Sequence, residues 1–177
     1  MEVVVLRYGH RLIRDERVTS HCCLVSRAFG AKKIVICGEQ DPTAIKTLEG
    51  ISKNWGAGFD AEFGSSWEKI LTEHKKTGFK AVHLTMYGQP LEKKIKQIKK
   101  HKKIIVIIGS RKVERKVYAL SDYNISVTNQ PHSEIAALAV FLYEALRGKK
   151  TKFANAKLKI IPSSFGKKVK KKTRATG

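Results

Sequence analysis

The sequence predicts an α/β fold with a mostly parallel, six-stranded sheet covered by helices on both faces. Three observations predict it. Short β-branched runs such as VVVL, KIVIC and KIIVII alternate with segments whose apolar residues recur at helical spacing. The strand runs are too continuously apolar to leave one face in water, as in a parallel sheet buried on both sides. Glycine, proline and polar clusters punctuate each change of period, so the alternation has defined ends.

The elements follow in order. Glu2 to Leu6 reads as the first strand, and Arg7 to Arg17 as a basic loop forming a polar working surface. Thr19 or Ser20 can cap a helix carrying Cys22, Val25 and Phe29, which Gly30 ends in the left-handed conformation. Lys33 to Cys37 is a strand. Asp41 and Pro42 start a covering helix with Ile45, Leu48, Ile51 and Trp55 on one face. Phe59 to Phe63 is a short strand, and Ser65 with Glu68 has capping-box spacing before Trp67, Ile70 and Leu71, with Gly78 as the stop. Lys80 to Leu84 is a strand, Thr85 to Pro90 a loop, and Leu91, Ile95 and Ile98 mark a basic amphipathic helix. Lys103 to Ile108 is a strand that opens into GSRKVERK, and a short helix reaches Ser121. Ile125 to Val127 then enters the polar elbow TNQPHSE, and an alanine-rich helix follows.

Composition bounds the function. The 177 residues suit one domain, residues 1–147, with a basic tail over 148–177. Lys and Arg number 36 against 15 Asp and Glu, for a net charge of +21, which points to a polyanionic partner. From Arg147 to Gly177 there are 12 basic residues and no acidic one. The longest apolar run, Ile135 to Tyr143, is too short to span a bilayer, and acidic Glu2 does not fit a signal peptide, so a cytoplasmic location is expected. Cys22, Cys23 and Cys37 are odd in number and two are adjacent, which predicts buried thiols rather than a disulfide framework.

In parallel α/β sheets, ligands bind outside the carboxyl ends of the strands. Three loops qualify here, after Leu84, after Ile108 and after Val127. Ordinary nucleotide motifs are missing, with no GxGxxG and no GxxxxGK followed by Ser or Thr, and there is no GxSxG elbow of a hydrolase. His21, Cys22 and Cys23 have no second cluster at ligand spacing, so no metal is assigned. His132, Ser133 and Glu134 are neighbours at a helix start and do not face one another as a triad would. Trp55 and Trp67 read as core and His83 as a structural histidine, whereas Tyr8 and Tyr87 could stack on an unpaired base.

The strings LRYGHRLIRDERVTSHCCLVSRAFGA, AVHLTMYG, IIVIIGSRKV and DYNISVTNQPHSEIAALAVFL together resemble the archaeal tRNA cytidine-56 ribose 2'-O-methyltransferase family, over roughly residues 2 to 147. That family belongs to the SPOUT methyltransferases. The resemblance implies a carboxyl-terminal trefoil knot, a homodimer, S-adenosylmethionine as cofactor and tRNA as partner. It places the cofactor against Leu84, the loop Gly109, Ser110, Arg111, Lys112 and Val113, and the stretch Val127, Thr128, Asn129, Gln130, Pro131, His132, Ser133 and Glu134. Where the family pattern has a small residue, usually Gly, this chain has Thr128, whose Cβ would limit backbone approach to a ligand. An amino-terminal arginine is implied for catalysis. Arg17 is the first choice, with Arg14 and His21 as alternatives and Asp15 as a possible orienter. Arg7, His10 and Arg11 are expected to face RNA, as are Lys167, Lys168, Lys170, Lys171 and Lys172 of the tail. Two other readings remain open: methylation at another RNA position, and a non-catalytic basic RNA-binding protein.

Overall fold

The computed structural model describes residues 1–109, 113–147 and 153–171, without the side chain of Glu16. The chain runs β1 (Glu2–His10), α1 (Leu12–Ala28), β2 (Lys33–Gly38), α2 (Pro42–Trp55), β3 (Asp60–Gly64), α3 (Trp67–Lys76) and β4 (Lys80–Pro90). It continues through α4 (Leu91–Ile98), β5 (Lys103–Gly109), α5 (Arg115–Leu120), β6 (Tyr123–Ser126) and α6 (Glu134–Leu146) to β7 (Leu158–Ile160) and β8 (Val169–Lys171). The first six strands form one sheet in the order β3-β2-β1-β5-β4-β6. All of its pairings are parallel.

The alternation of side chains along each strand divides the core in two. Val3, Val5, Ile34, Ile36, Val82, Ile104, Val106 and Ile108 face one side and pack with Phe141 and Leu142 of α6. Val4, Leu6, Val35, Ile105 and Ile107 face the other and pack with Trp67, Leu71 and Val117 of α3 and α5. Each fully buried aliphatic side chain contributes roughly 1.5–3 kcal/mol, so these runs hold the sheet between its helices. No helix among the described residues is long and apolar enough to cross a membrane. Cys22, Cys23 and Cys37 are buried free thiols, and burial pushes the first two up to about 12.

Four elements depart from the sequence reading. Arg7 to Arg17 is not a loop: β1 continues through a register shift to His10, and α1 begins at Leu12. That start carries no sequence signal because no Ser, Thr, Asp or Asn side chain caps it. Its free amide donors go instead to carboxylates, Arg11 N–H to Asp15 Oδ2 at 3.1 Å and Leu12 N–H to Glu39 Oε2 at 2.7 Å. The cap of α3 is Ser66 rather than Ser65, and Ser66 Oγ also donates to Glu68. Residues 85–90 stay close to the sheet, with both Leu84 and Gln89 registered on Ile125. The lysine-rich end contains an antiparallel hairpin, β7 with β8.

Candidate functional site

A cleft of about 540 Å³ opens at the carboxyl ends of β4 and β5. That volume lies within the usual range for small-molecule sites. Its walls come from all three predicted loops. Leu84 to Tyr87 follow the core of β4, Gly109 and Val113 bracket the end of β5, and Pro131 to Glu134 form the elbow before α6. Gly109 leaves room for the loop that follows: a Cβ there would come within 2.6 Å of Val113 Cγ2 and would displace that side chain.

The loops hold one another. Asn129 Nδ2 donates to Met86 O at 2.6 Å and reaches Gly88 O at 3.4 Å. Gly88 lies so close to β6 that a Cβ would meet Ile125 N and C at 2.6 Å. His132 Nδ1 donates to Gln130 O, and Ser133 Oγ caps α6 by accepting from Ala136 N–H at 3.1 Å. Glu134 in the first turn complements the positive end of that helix.

Beneath the elbow, Arg7 Nη2 donates to Glu134 Oε1 at 2.7 Å. The Arg7 side chain is fully buried and that of Glu134 about one-fifth exposed. Burial raises the Glu134 carboxyl above its ordinary range, Arg7 pulls it back, and Asp15 adds to the rise. Burial prevails. On the other side of the sheet, Asn124 Nδ2 donates to Tyr118 O, which turns Asn124 Oδ1 towards His83 Nδ1 at 2.9 Å. Nδ1 then carries the proton and leaves Nε2 as a buried acceptor without a partner. Burial lowers the affinity of His83 for a second proton.

Of the sequence-predicted cofactor residues, Leu84, Gly109, Val113, Pro131, His132, Ser133 and Glu134 line the cleft. Val127 packs against the core, Thr128 is exposed outside the lining, and Asn129 and Gln130 hold the elbow. Ser110, Arg111, Lys112 and Lys172 lie outside the described residues. The lining also includes Val18, His83, Thr85, Met86, Tyr118 and Ile135, which sequence reasoning did not assign. The signal for His83, Thr85 and Met86 was only proximity to a strand end and for Ile135 proximity to the elbow, whereas α5 and α1 bring in Tyr118 and Val18.

Two RNA-facing expectations are corrected. Arg7 and His10 are buried, at 0% and 1% exposure, because β1 extends through both. Arg7 is held by Glu134, and His10 Nδ1 lies 2.7 Å from Thr19 Oγ1. Tyr8 is no base-stacking surface either: its hydroxyl donates to Glu114 at 2.6 Å and its ring meets Trp67 edge-on. Tyr87, 76% exposed at the cleft, stays free to stack. Arg14, Arg17 and His21 are exposed on α1, outside the lining of the cleft. Arg11 and Lys167, Lys168, Lys170 and Lys171 are also exposed.

With this sheet order and strand-end cleft, the class is an α/β fold shared with solved SpoU methyltransferases. A SpoU methyltransferase, AviRb from Streptomyces viridochromogenes, solved in complex with the cofactor AdoMet, superposes with a TM-score of 0.60 at 16% identity, over 82% of this chain and 56% of that one. The A. aeolicus TrmH/SpoU tRNA modifying enzyme gives 0.60 at 14% identity, over 82% and 73%. The chain belongs to the tRNA ribose 2'-O-methyltransferase family aTrm56, whose model matches residues 55–170. The tRNA (cytidine(56)-2'-O)-methyltransferase of Thermococcus kodakarensis is 49% identical over 173 residues, covering 94% of this chain and 96% of the relative. The Pyrococcus horikoshii protein of that name is 48% identical, over 94% and 84%.

Proposed function

We propose that this protein transfers a methyl group from S-adenosylmethionine to the ribose 2'-hydroxyl of cytidine 56 in the T-loop of tRNA. The observation that carries the reading is the cleft itself: in a chain of this family, the three strand-end loops close around one site. The residues present fit the cofactor. Leu84, Met86 and Ile135 offer apolar surface for a flat base, while Glu134 and the bare His83 Nε2 offer acceptors for amino groups. When bound, the cofactor supplies a sulfonium-activated methyl group.

The protein's part is orientation and charge placement, and methyl transfer to a hydroxyl needs no metal. The elbow and the 85–90 segment fix the site because Asn129 ties one to the other. Tyr87 stacks on the target base. Arg17 polarises the ribose hydroxyl or neutralises the adjoining phosphate, the roles that suit a guanidinium which stays protonated. Arg17 lies one helical turn from Ile13, which is 98% exposed, and Val140 and Tyr143 expose further apolar surface on α6. A homodimer joined through these helices is the arrangement that carries Arg17 to a cleft. The register shift by which both Leu84 and Gln89 meet Ile125, with Gly88 packed on the Ile125 backbone, is consistent with the implied trefoil knot.

The test is transfer of labelled methyl from S-adenosylmethionine to unmodified tRNA transcript, with the modified nucleotide mapped and Arg17→Ala run in parallel. Label on the ribose of cytidine 56 is expected, with turnover lost in Arg17→Ala while cofactor and tRNA binding persist. Label at another position would change the substrate, and tight tRNA binding without label would favour a non-catalytic protein.

A further inference from the structure

The hairpin β7–β8 is a second surface, and three observations define it. Its anchor lies at the end of the sheet opposite the cleft. Ala57 and Ala154 exchange backbone hydrogen bonds of 2.8 and 2.9 Å, and Lys157 N–H donates to Asn54 O at 2.9 Å. Arg27, in the last turn of α1, donates to Gly56 O at 2.8 Å and stacks over Phe153 at 3.9 Å. Helices that follow parallel strands end beside the strands' amino termini, and Ala57 lies three residues before the start of β3, whose first residue pairs with the first of β2. The seven residues of β5 therefore put about 20 Å between this anchor and the cleft.

The ribbon also sets like charges against each other. Lys159 is registered directly opposite Lys170, and Leu158 opposite Lys171, in a segment with no acidic residue. Directly opposed cations destabilise a strand pair unless an anion lies between them. Finally, the tip exposes apolar groups. Phe165 is 95% exposed beyond Ile160 at 62%, and Gly166 turns the chain with a φ of 128°.

We propose that this hairpin is a second tRNA contact, gripping backbone phosphates outside the target loop with Lys159 and Lys170 while Phe165 stacks on an exposed base. Charge complementarity selects RNA as the occupant, since the hairpin of a second copy would set its own lysines against Lys159 and Lys170 in a segment with no acidic residue to pair them. Aromatic stacking tolerates any base, which suits a contact that must accept many tRNAs. The inference rests on the tRNA reading above and adds where the rest of the molecule is held.

The test compares binding of full-length tRNA transcript and of an isolated T-arm stem-loop by wild type, Lys159→Ala/Lys170→Ala and Phe165→Ala, all in the full chain. Each variant should bind full tRNA about tenfold more weakly and the stem-loop as wild type does. The lysine variant should flatten the salt dependence of tRNA binding by about 1.5 in log–log slope, from roughly 0.7–0.9 per phosphate. Equal losses on both RNAs would place the hairpin on the target arm and overturn the proposal, as would no loss on either. A change in sedimentation of Phe165→Ala with tRNA affinity intact would assign the tip to a second copy, which also overturns it. The binding comparison stands whether or not cytidine 56 is the methylated nucleotide, so failure of the functional reading is distinguished by the methyl assay alone.

Discussion

Arg7 is the largest fully buried side chain of the described residues, and its ion-pair partner, Glu134, lies 127 positions away. A guanidinium with Nε and Nη1 unpartnered is an expensive occupant of a core. Removing the guanidinium leaves the Glu134 carboxylate buried without its counter-ion, so Arg7→Met should cost about 3–5 kcal/mol of stability, and Glu134→Gln less, because burial already disfavours the charged carboxyl. The double variant should cost well below the sum of the two, with a coupling of at least about 2 kcal/mol by urea denaturation. Additive losses would show that the pair is not a unit. Sequence alone could not reveal this. Arg7, Arg11, Arg14 and Arg17 are four equivalent cations in a polar string until the sheet buries one and leaves the others outside. The same holds for His83, whose type and strand position suggest a structural residue, while its free Nε2 at the cleft depends on the distant Asn124.

At the scale of elements, sequence was most informative where the structural signal is local. Asp41 accepts from Thr43 N–H and starts α2, Gly30 and Gly78 end their helices with φ of 90° and 88°, and Ser133 caps α6. It was least informative where an element is completed by remote groups, as at the start of α1, or where exposed lysines mask a strand, as in β7 and β8. The close approach of residues 85–90 to β6 belongs to the second kind and is testable with two glycines of opposite character. Gly50, in α2, has open space where a Cβ would stand, with nothing within 4 Å, so Gly50→Ala should stabilise by about 0.5–1 kcal/mol through helix propensity. Gly88→Ala forces a Cβ onto the Ile125 backbone and must displace the segment that carries Met86 and Tyr87. Its cofactor affinity, measured by calorimetry, should fall at least about tenfold with the fold retained by circular dichroism, from a loss of order 1.4 kcal/mol. Unchanged affinity would mean that this close approach does not shape the cleft.

The molecule as a whole combines a strong positive charge with ionisable groups buried close to its site, and the two have separate consequences. The charge and its concentration in the tail are plain in the composition, whereas the buried groups emerge only from packing. His83 is held below its ordinary value of 6.5 by burial, against a smaller opposing effect from Asn124. His10 is lowered by burial and by Arg7, with Asp41, Asp15 and Glu39 opposing. A histidine lowered on folding leaves the unfolded chain with more bound protons, so stability is full above about 6.5 and declines as pH falls towards the folded value. Each histidine contributes a slope of at most about 1.4 kcal/mol per pH unit in that window. Glu134 acts in the opposite sense: its raised carboxyl favours the folded state at low pH, and that benefit is lost as pH rises through its folded value above 4.5. Urea midpoints should therefore fall between pH 7 and pH 5.5 in the wild type. His83→Gln should make the decline shallower. Parallel profiles for wild type and His83→Gln would show that this imidazole takes up its proton equally in both states, and the bare Nε2 acceptor at the cleft would then have to be reached by water.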